Sequence, residues 1–225
     1  YNFLNQPQNQ TTNPASSQLK VAIVDHLSLT FPNQTFIETA TNILKQAGYT
    51  VDYIPGEKVT VDFYRNLPIP RYNLMILRVH SSTIGLPALF TSERYSSSKY
   101  VQDQLANTLG LVAYSQQEAQ KGIWYFGIIS KFVTSSMTAK FQNTTVIMMG
   151  CDGLNSTEMA EAFIKKGAKA YISWNRKISA SRTDVATAQL LEYLITEKQT
   201  IKQAVENTMK EVGPDPAYNS QLIYY

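Results

Sequence analysis

The run Leu74-Met75-Ile76-Leu77-Arg78-Val79-His80 decides the fold reading. Its apolar residues are too continuous for an edge strand and fit a strand buried on both faces of a parallel sheet. Val21-Ala22-Ile23-Val24, before Asp25-His26, reads the same way. So do Thr145-Val-Ile-Met-Met149, before Gly150-Cys151, and Ala168-Lys-Ala-Tyr-Ile-Ser-Trp174. Thr50-Val-Asp-Tyr-Ile54 supplies a further strand.

Helical faces lie between these runs. Phe36, Ile37, Ala40, Ile43, Leu44 and Ala47 share one face, and Gly48 stops that helix. Residues 57–66 predict a short helix. Asn155-Ser-Thr-Glu158 has capping-box spacing with Asn155 as N-cap, ahead of Met159, Ala160, Phe163 and Ile164. Val185, Ala188, Leu191 and Ile195 mark a helix begun near Thr183, and Thr200-x-x-Gln203 caps the last one. Alternating strands and helices predict an α/β fold around a mostly parallel, doubly wound sheet. Residues 81–142 break the pattern and read as an irregular insertion of hairpins and one helix within a single domain over 20–225. On this topology the strand at 21–24 is central, the strand at 74–79 lies beside it, and the strand at 145–149 lies beyond.

The chain has 225 residues, enough to bury a sizeable core. Charged residues are only 16%, and the net charge of +3 comes with no basic run or aromatic-basic stripe. Nucleic acid is therefore not an expected partner. No apolar stretch approaches the roughly 18 residues of a membrane span. A single cysteine, Cys151, excludes an intrachain disulfide and a multi-cysteine zinc site. Asp25, Asp152 and Glu93 make no recognisable metal spacing and read as solvated or capping groups, so neither metal nor cofactor is expected. Residues 1–19 carry no charge before the lysine at 20 and read as a flexible polar linker, of the kind that follows an anchor lying upstream. With sequons at Asn9, Asn33, Asn143 and Asn155, the expected location is extracellular or cell-surface. Nothing in the sequence assigns an oligomeric state.

Open parallel sheets bind ligands at the carboxyl ends of their strands. His80 and Cys151 both stand at such ends, so an imidazole and a thiol are expected to share one crevice. That pairing suits nucleophilic catalysis, with histidine as base and sulfur as attacking atom. Gly150 and Gly153 allow a sharp turn, and the N–H of Cys151 suits an oxyanion. His26 also ends a strand but reads as structural or crevice-lining.

Three segments, 74–81, 146–153 and 162–174, together resemble the caspase-like cysteine peptidases, the group of caspases, gingipains, clostripain and legumain, with the prokaryotic and archaeal gingipain-like branch nearest. The ordered match spans roughly 20–212. The resemblance implies a caspase-hemoglobinase α/β/α sandwich and endopeptidase action on a peptide or protein substrate. It implies Cys151 as nucleophile and His80 as general base or acid. The backbone N–H groups near Ser81 and of Cys151 would form the oxyanion hole, and Trp174, Asn175 and Arg176 would line the substrate pocket. Family members usually place glycine directly after the histidine, so Ser81 bears on how closely the backbone approaches the carbonyl. Two other readings fit the same residues: a catalytically inactive caspase-like binding module, and a glutamine-amidotransferase-like hydrolase. The second fits less well because Met149 stands where a nucleophile elbow has glycine.

Overall fold

A computed structural model describes residues 19–82 and 87–225. Most of the expected linker and the sequon at Asn9 lie outside the described residues. Strands β1 (Lys20–Asp25), β2 (Thr50–Pro55) and β3 (Leu74–Arg78) alternate with helices α1 (Gln34–Gln46) and α2 (Val61–Asn66). The 81–142 segment holds β4 (Ser81–Ser82), β5 (Ala88–Arg94), α3 (Val101–Leu105), β6 (Leu109–Val112), α4 (Gln116–Gln120), β7 (Tyr125–Ile129) and α5 (Ser130–Ser135). Then follow β8 (Thr144–Met148), α6 (Glu158–Lys165), β9 (Ala168–Trp174), α7 (Ala180–Leu191), α8 (Ile201–Val212) and β10 (Leu222–Tyr224).

The large sheet runs β10-β9-β8-β3-β1-β2, with every pairing parallel except β10 against β9. Successive strand residues face opposite sides, as the pleat requires. Val21, Ile23, Leu74, Ile76, Ile147 and Ile172 pack in one core with residues of α1, α7 and α8. Ala22, Val24, Met75, Leu77, Val146 and Tyr171 pack in the other with residues of α2, α5 and α6. Burial on both faces explains the unbroken apolar runs and the helix layers flanking the sheet. The strand order places β3 between β1 and β8, as the alternation predicts.

Two local expectations are corrected. Among the described residues, the 81–142 segment forms a four-stranded antiparallel sheet, β4-β5-β7-β6, carrying three short helices rather than one. Those helices run five or six residues, too short for a 3.6-residue periodicity to stand out. Asn155 does not cap α6: its N–H closes a turn onto the carbonyl of Asp152, and the N-cap is Thr157. Tight turns consume 151–156, so the helix begins only at Glu158. The Thr200–Gln203 capping box forms as expected.

Arg78 is the one charge within the β3 run, and it is fully buried. Its guanidinium donates to both carboxylate oxygens of Asp184 on α7, to Asp25 at the end of β1, and to the carbonyl of Phe31. Asn33 and Tyr53 donate to the same two carboxylates. One cation faces two carboxylates, and each charged group is paired and hydrogen-bonded, the condition under which a buried ion network is tolerated. It ties the 25–31 segment to the exit of β3.

Candidate active site

Parallel pairing fixes the positions of the two strand exits. β3 and β8 pair Leu74 with Thr145 and Leu77 with Met148, and the Met149 N–H continues the ladder to the carbonyl of Leu77. Carrying that register forward sets His80 opposite Cys151. Gly150 lies between the exits. A Cβ there would overlap the carbonyl of Val79 and Oγ of Ser81. At Gly153 a Cβ would overlap Met148 and Ser173. The missing side chain of Gly150 lets the Cys151 turn sit directly against the histidine strand, and that of Gly153 lets it close on Met148 of β8 and Ser173 of β9. Asp152 completes the turn with a φ of 57°.

His80 Nε2 lies 2.8 Å from Oγ1 of Thr30, in the loop that follows β1. Rings of Phe31, Phe90, Tyr114 and His26 surround the imidazole at centroid distances of 5.6–6.0 Å. Among the described residues, Nδ1 of His80 makes no hydrogen bond. Burial, reinforced by the nearby Arg78 cation, lowers the His80 pKa to about 4, so the ring is neutral near pH 7.

The Cys151 thiol donates to the carbonyl of Ile178 at 3.6 Å and accepts from its N–H at 3.4 Å. It packs against the core shared with α1, α7 and α8. Burial pushes its pKa up; the Ile178 N–H and Lys177 oppose this, and Asp152 and Asp215 add to it. The structure therefore brings His80 and Cys151 to adjacent exits without a hydrogen bond between them: Thr30, after β1, engages Nε2 of His80, and Ile178, after β9, holds the thiol. The cavity bordered by Cys151 holds about 10 Å³, room for about one water.

Ser81 turns its hydroxyl to the carbonyl of Cys151, bracing the two loops. The Phe90 N–H donates to the His80 carbonyl, making His80–Phe90 a hydrogen-bonded pair of the β4–β5 ladder. Antiparallel alternation then leaves the N–H of Ser81 out of that ladder. Among the described residues, the N–H of Cys151 donates to no acceptor. The neighbouring Asp152 N–H donates to the carbonyl of Arg176.

Trp174 differs from its expected role. Its indole is fully buried and donates to Thr183 on α7, so it offers no surface to a ligand. Its parity puts it on the core side of β9, with Ile172. Asn175 exchanges backbone and side-chain hydrogen bonds with Gln221. Arg176 is exposed and holds the Cys151 turn through its carbonyl. Asp25 and Glu93 do act as caps, accepting from the N–H groups of Ser28 and Val61. His26 is fully buried and bonded to the hydroxyl of Tyr114.

Sequence reasoning missed Thr30 and the Arg78–Asp25–Asp184 cluster. The first follows a strand exit, and exits of an open parallel sheet converge. The second had a plain signal, one charge inside an apolar run. Tyr114 had none: it reaches His26 only through the folding of the small sheet. No protein-family model matches the chain, and no curated protein matches it at a significant level.

Proposed function

We propose that this chain is a caspase-like cysteine endopeptidase of α/β/α sandwich fold, with Cys151 as nucleophile and His80 as general base. The observation that carries the reading is the β3–β8 pairing, which runs to Leu77 beside Met148 and so brings the exits bearing His80 and Cys151 side by side. In this reading Nε2 donates its hydrogen to Thr30 Oγ1, and Nδ1 is the nitrogen that accepts a proton. Both groups are neutral at rest: His80 is pushed down and Cys151 up. Attack on a peptide carbonyl then proceeds by general-base catalysis. Sγ leaves the Ile178 contact and bonds to the carbonyl carbon as its proton passes to His80 Nδ1. The N–H groups of Ser81 and Cys151 receive the oxyanion. The imidazolium returns the proton to the departing amine, and water hydrolyses the thioester. Substrate contact along Asn175 and Arg176 belongs to the same reading.

One observation favours a second reading, a catalytically inactive caspase-like binding module: the thiol is half-buried and held by both backbone groups of Ile178. Hydrolysis of a fluorogenic peptide library separates the two. Cys151→Ala is expected to abolish cleavage while moving the thermal midpoint by no more than a few degrees. His80→Ala should cost at least about 10²-fold in turnover, and His26→Ala much less. Turnover unchanged in Cys151→Ala removes the peptidase reading.

A further inference from the structure

Beside the candidate active site lies a second, larger cavity of about 770 Å³, within the roughly 300–1,000 Å³ range of ligand pockets. Its floor is Ala88, Phe90, Val112 and Ile129, a buried apolar cluster of the small sheet separate from the two main cores. The floor continues into the site already described: Phe90 also packs on His80, with ring centroids 5.7 Å apart. Leu111 and Trp124 line the cavity while remaining 52% and 36% exposed. The polar lining comes from uncharged side chains such as Asn107 and Gln116, and among the described residues no charged side chain lines it. A charged ligand would thus lose its hydration without gaining a counter-charge.

Consecutive residues Leu109 to Val112, all of β6, line this cavity. Alternate residues of a strand point to opposite faces, so one face cannot supply four in a row. The cavity therefore runs along the edge of β6 as well as its face. β6 ends the order β4-β5-β7-β6, and among the described residues its outer edge pairs with no strand. An extended peptide can add to such an edge through its backbone while placing alternate side chains in a pocket.

We propose that the β6 edge and its cavity bind an extended peptide segment bearing bulky apolar side chains, as a substrate-recognition site flanking His80. The assignment of that peptide as substrate rests on the peptidase reading; the binding itself does not.

The test uses Cys151→Ala protein, so that binding is read without cleavage. Fluorescence anisotropy follows a labelled hexapeptide alternating Phe and Thr, and its counterpart with Lys in place of Phe. The Phe peptide is expected to bind at least about tenfold more tightly. Ala119→Trp, which fills the cavity from α4, and Leu111→Glu, at an exposed position, should each weaken it at least about tenfold. N-methylation of alternate peptide nitrogens should weaken it in one of the two registers. Equal affinity for both peptides overturns the proposal. So does unchanged binding in both variants with native circular dichroism. A sedimenting dimer that Leu111→Glu dissociates and the peptide does not compete would assign the edge to a second copy instead, and overturn it too. Wild-type protein that binds the Phe peptide but cleaves nothing sinks the peptidase reading alone. Cleavage with a KM unmoved by Ala119→Trp and Leu111→Glu sinks the recognition site alone.

Discussion

Thr30 Oγ1 holds Nε2 of His80 at 2.8 Å, and so decides which imidazole nitrogen is left to face a reacting group. Thr30 is carried on the loop that Arg78 anchors through Asp25 and the Phe31 carbonyl. The orientation of the His80 imidazole is thus set from the loop after β1, two strands away from β8, and not by Cys151. Thr30→Val keeps the shape and removes the hydroxyl. We expect kcat for peptide cleavage to fall roughly tenfold with KM little changed, the pattern of a base misaligned rather than a substrate lost. Thr30→Ser should restore most of the rate. Equal loss in both variants would count against orientation by the hydroxyl.

The pH profile of cleavage follows from the neutral resting pair. His80 is a base only above its own pKa, here about 4. At pH 5 an ordinary imidazole of pKa 6.5 would be roughly 3% neutral, whereas one at 4 is roughly 90% neutral. kcat/KM should therefore hold within about twofold from pH 7 to pH 5 and drop near pH 4. The Cys151 thiol is displaced upward, so iodoacetamide labelling of the resting protein should be slow at pH 7.5 and accelerate only at alkaline pH. An acid limb near pH 6.5 would instead indicate an imidazole of ordinary pKa, and fast labelling at neutral pH would indicate a preformed thiolate–imidazolium pair.

Gly150 is where the exits of β3 and β8 meet, and its hydrogen is part of the contact. A methyl group at this position strikes the Val79 carbonyl and the Ser81 hydroxyl at once. Neither can withdraw without moving His80 or breaking the Ser81 bond to the Cys151 carbonyl. Gly150→Ala should destabilise by about 1–3 kcal/mol, the range of core overpacking, and should cost activity beyond that loss. Chemical denaturation gives the first quantity and turnover of the folded fraction the second. A variant with wild-type stability would show that the strands part freely here.

The sheet was legible because its strands are buried on both faces, and that leaves runs such as 74–79 and 145–149 with no alternation to misread. Strand order followed from connectivity alone. The small sheet was not legible as a sheet. β6 has only four residues, Leu109-Gly110-Leu111-Val112, and its helices are too short to show a period. Trp174 was misplaced for a different reason. The resemblance put it in the substrate pocket, but pleat parity turns it into the core with Ile172, a distinction that needs the register. Thr30 was invisible because a hydroxyl in a loop carries no pattern until the loop's neighbours are known.

His26 makes the fold itself sensitive to acid. Its ring is fully buried, with Nε2 2.7 Å from the hydroxyl of Tyr114. That hydroxyl donates its own hydrogen to the carbonyl of Thr91, so Nε2 is the donor in the pair. Nδ1 is then a bare lone pair with no partner among the described residues. A second proton would have to sit on Nδ1 with no acceptor, in a site away from water. Burial, with the neighbouring His80, depresses the pKa to about 3 against the raising influence of the Thr91 backbone. The unfolded chain has no such constraint and takes up its proton near pH 6.5. Below pH 6.5 the unfolded state therefore binds more protons than the folded one, and stability falls as pH falls, until the folded ring also titrates near 3. The slope from one such group is about 1.4 kcal/mol per pH unit. His26→Phe keeps a ring in the site and removes the titration. Urea denaturation of both proteins at pH 7, 6, 5 and 4 should give a stability difference that shifts in favour of the variant by about 1 kcal/mol or more per unit below pH 6. Carboxylates such as Asp103 and Asp215, whose pKa values are lowered in the fold, cost stability only as pH falls through the acid range and do so equally in both proteins. Parallel stability curves across this range would mean that His26 accepts a proton in the folded state, and that the Nδ1 lone pair has a partner after all.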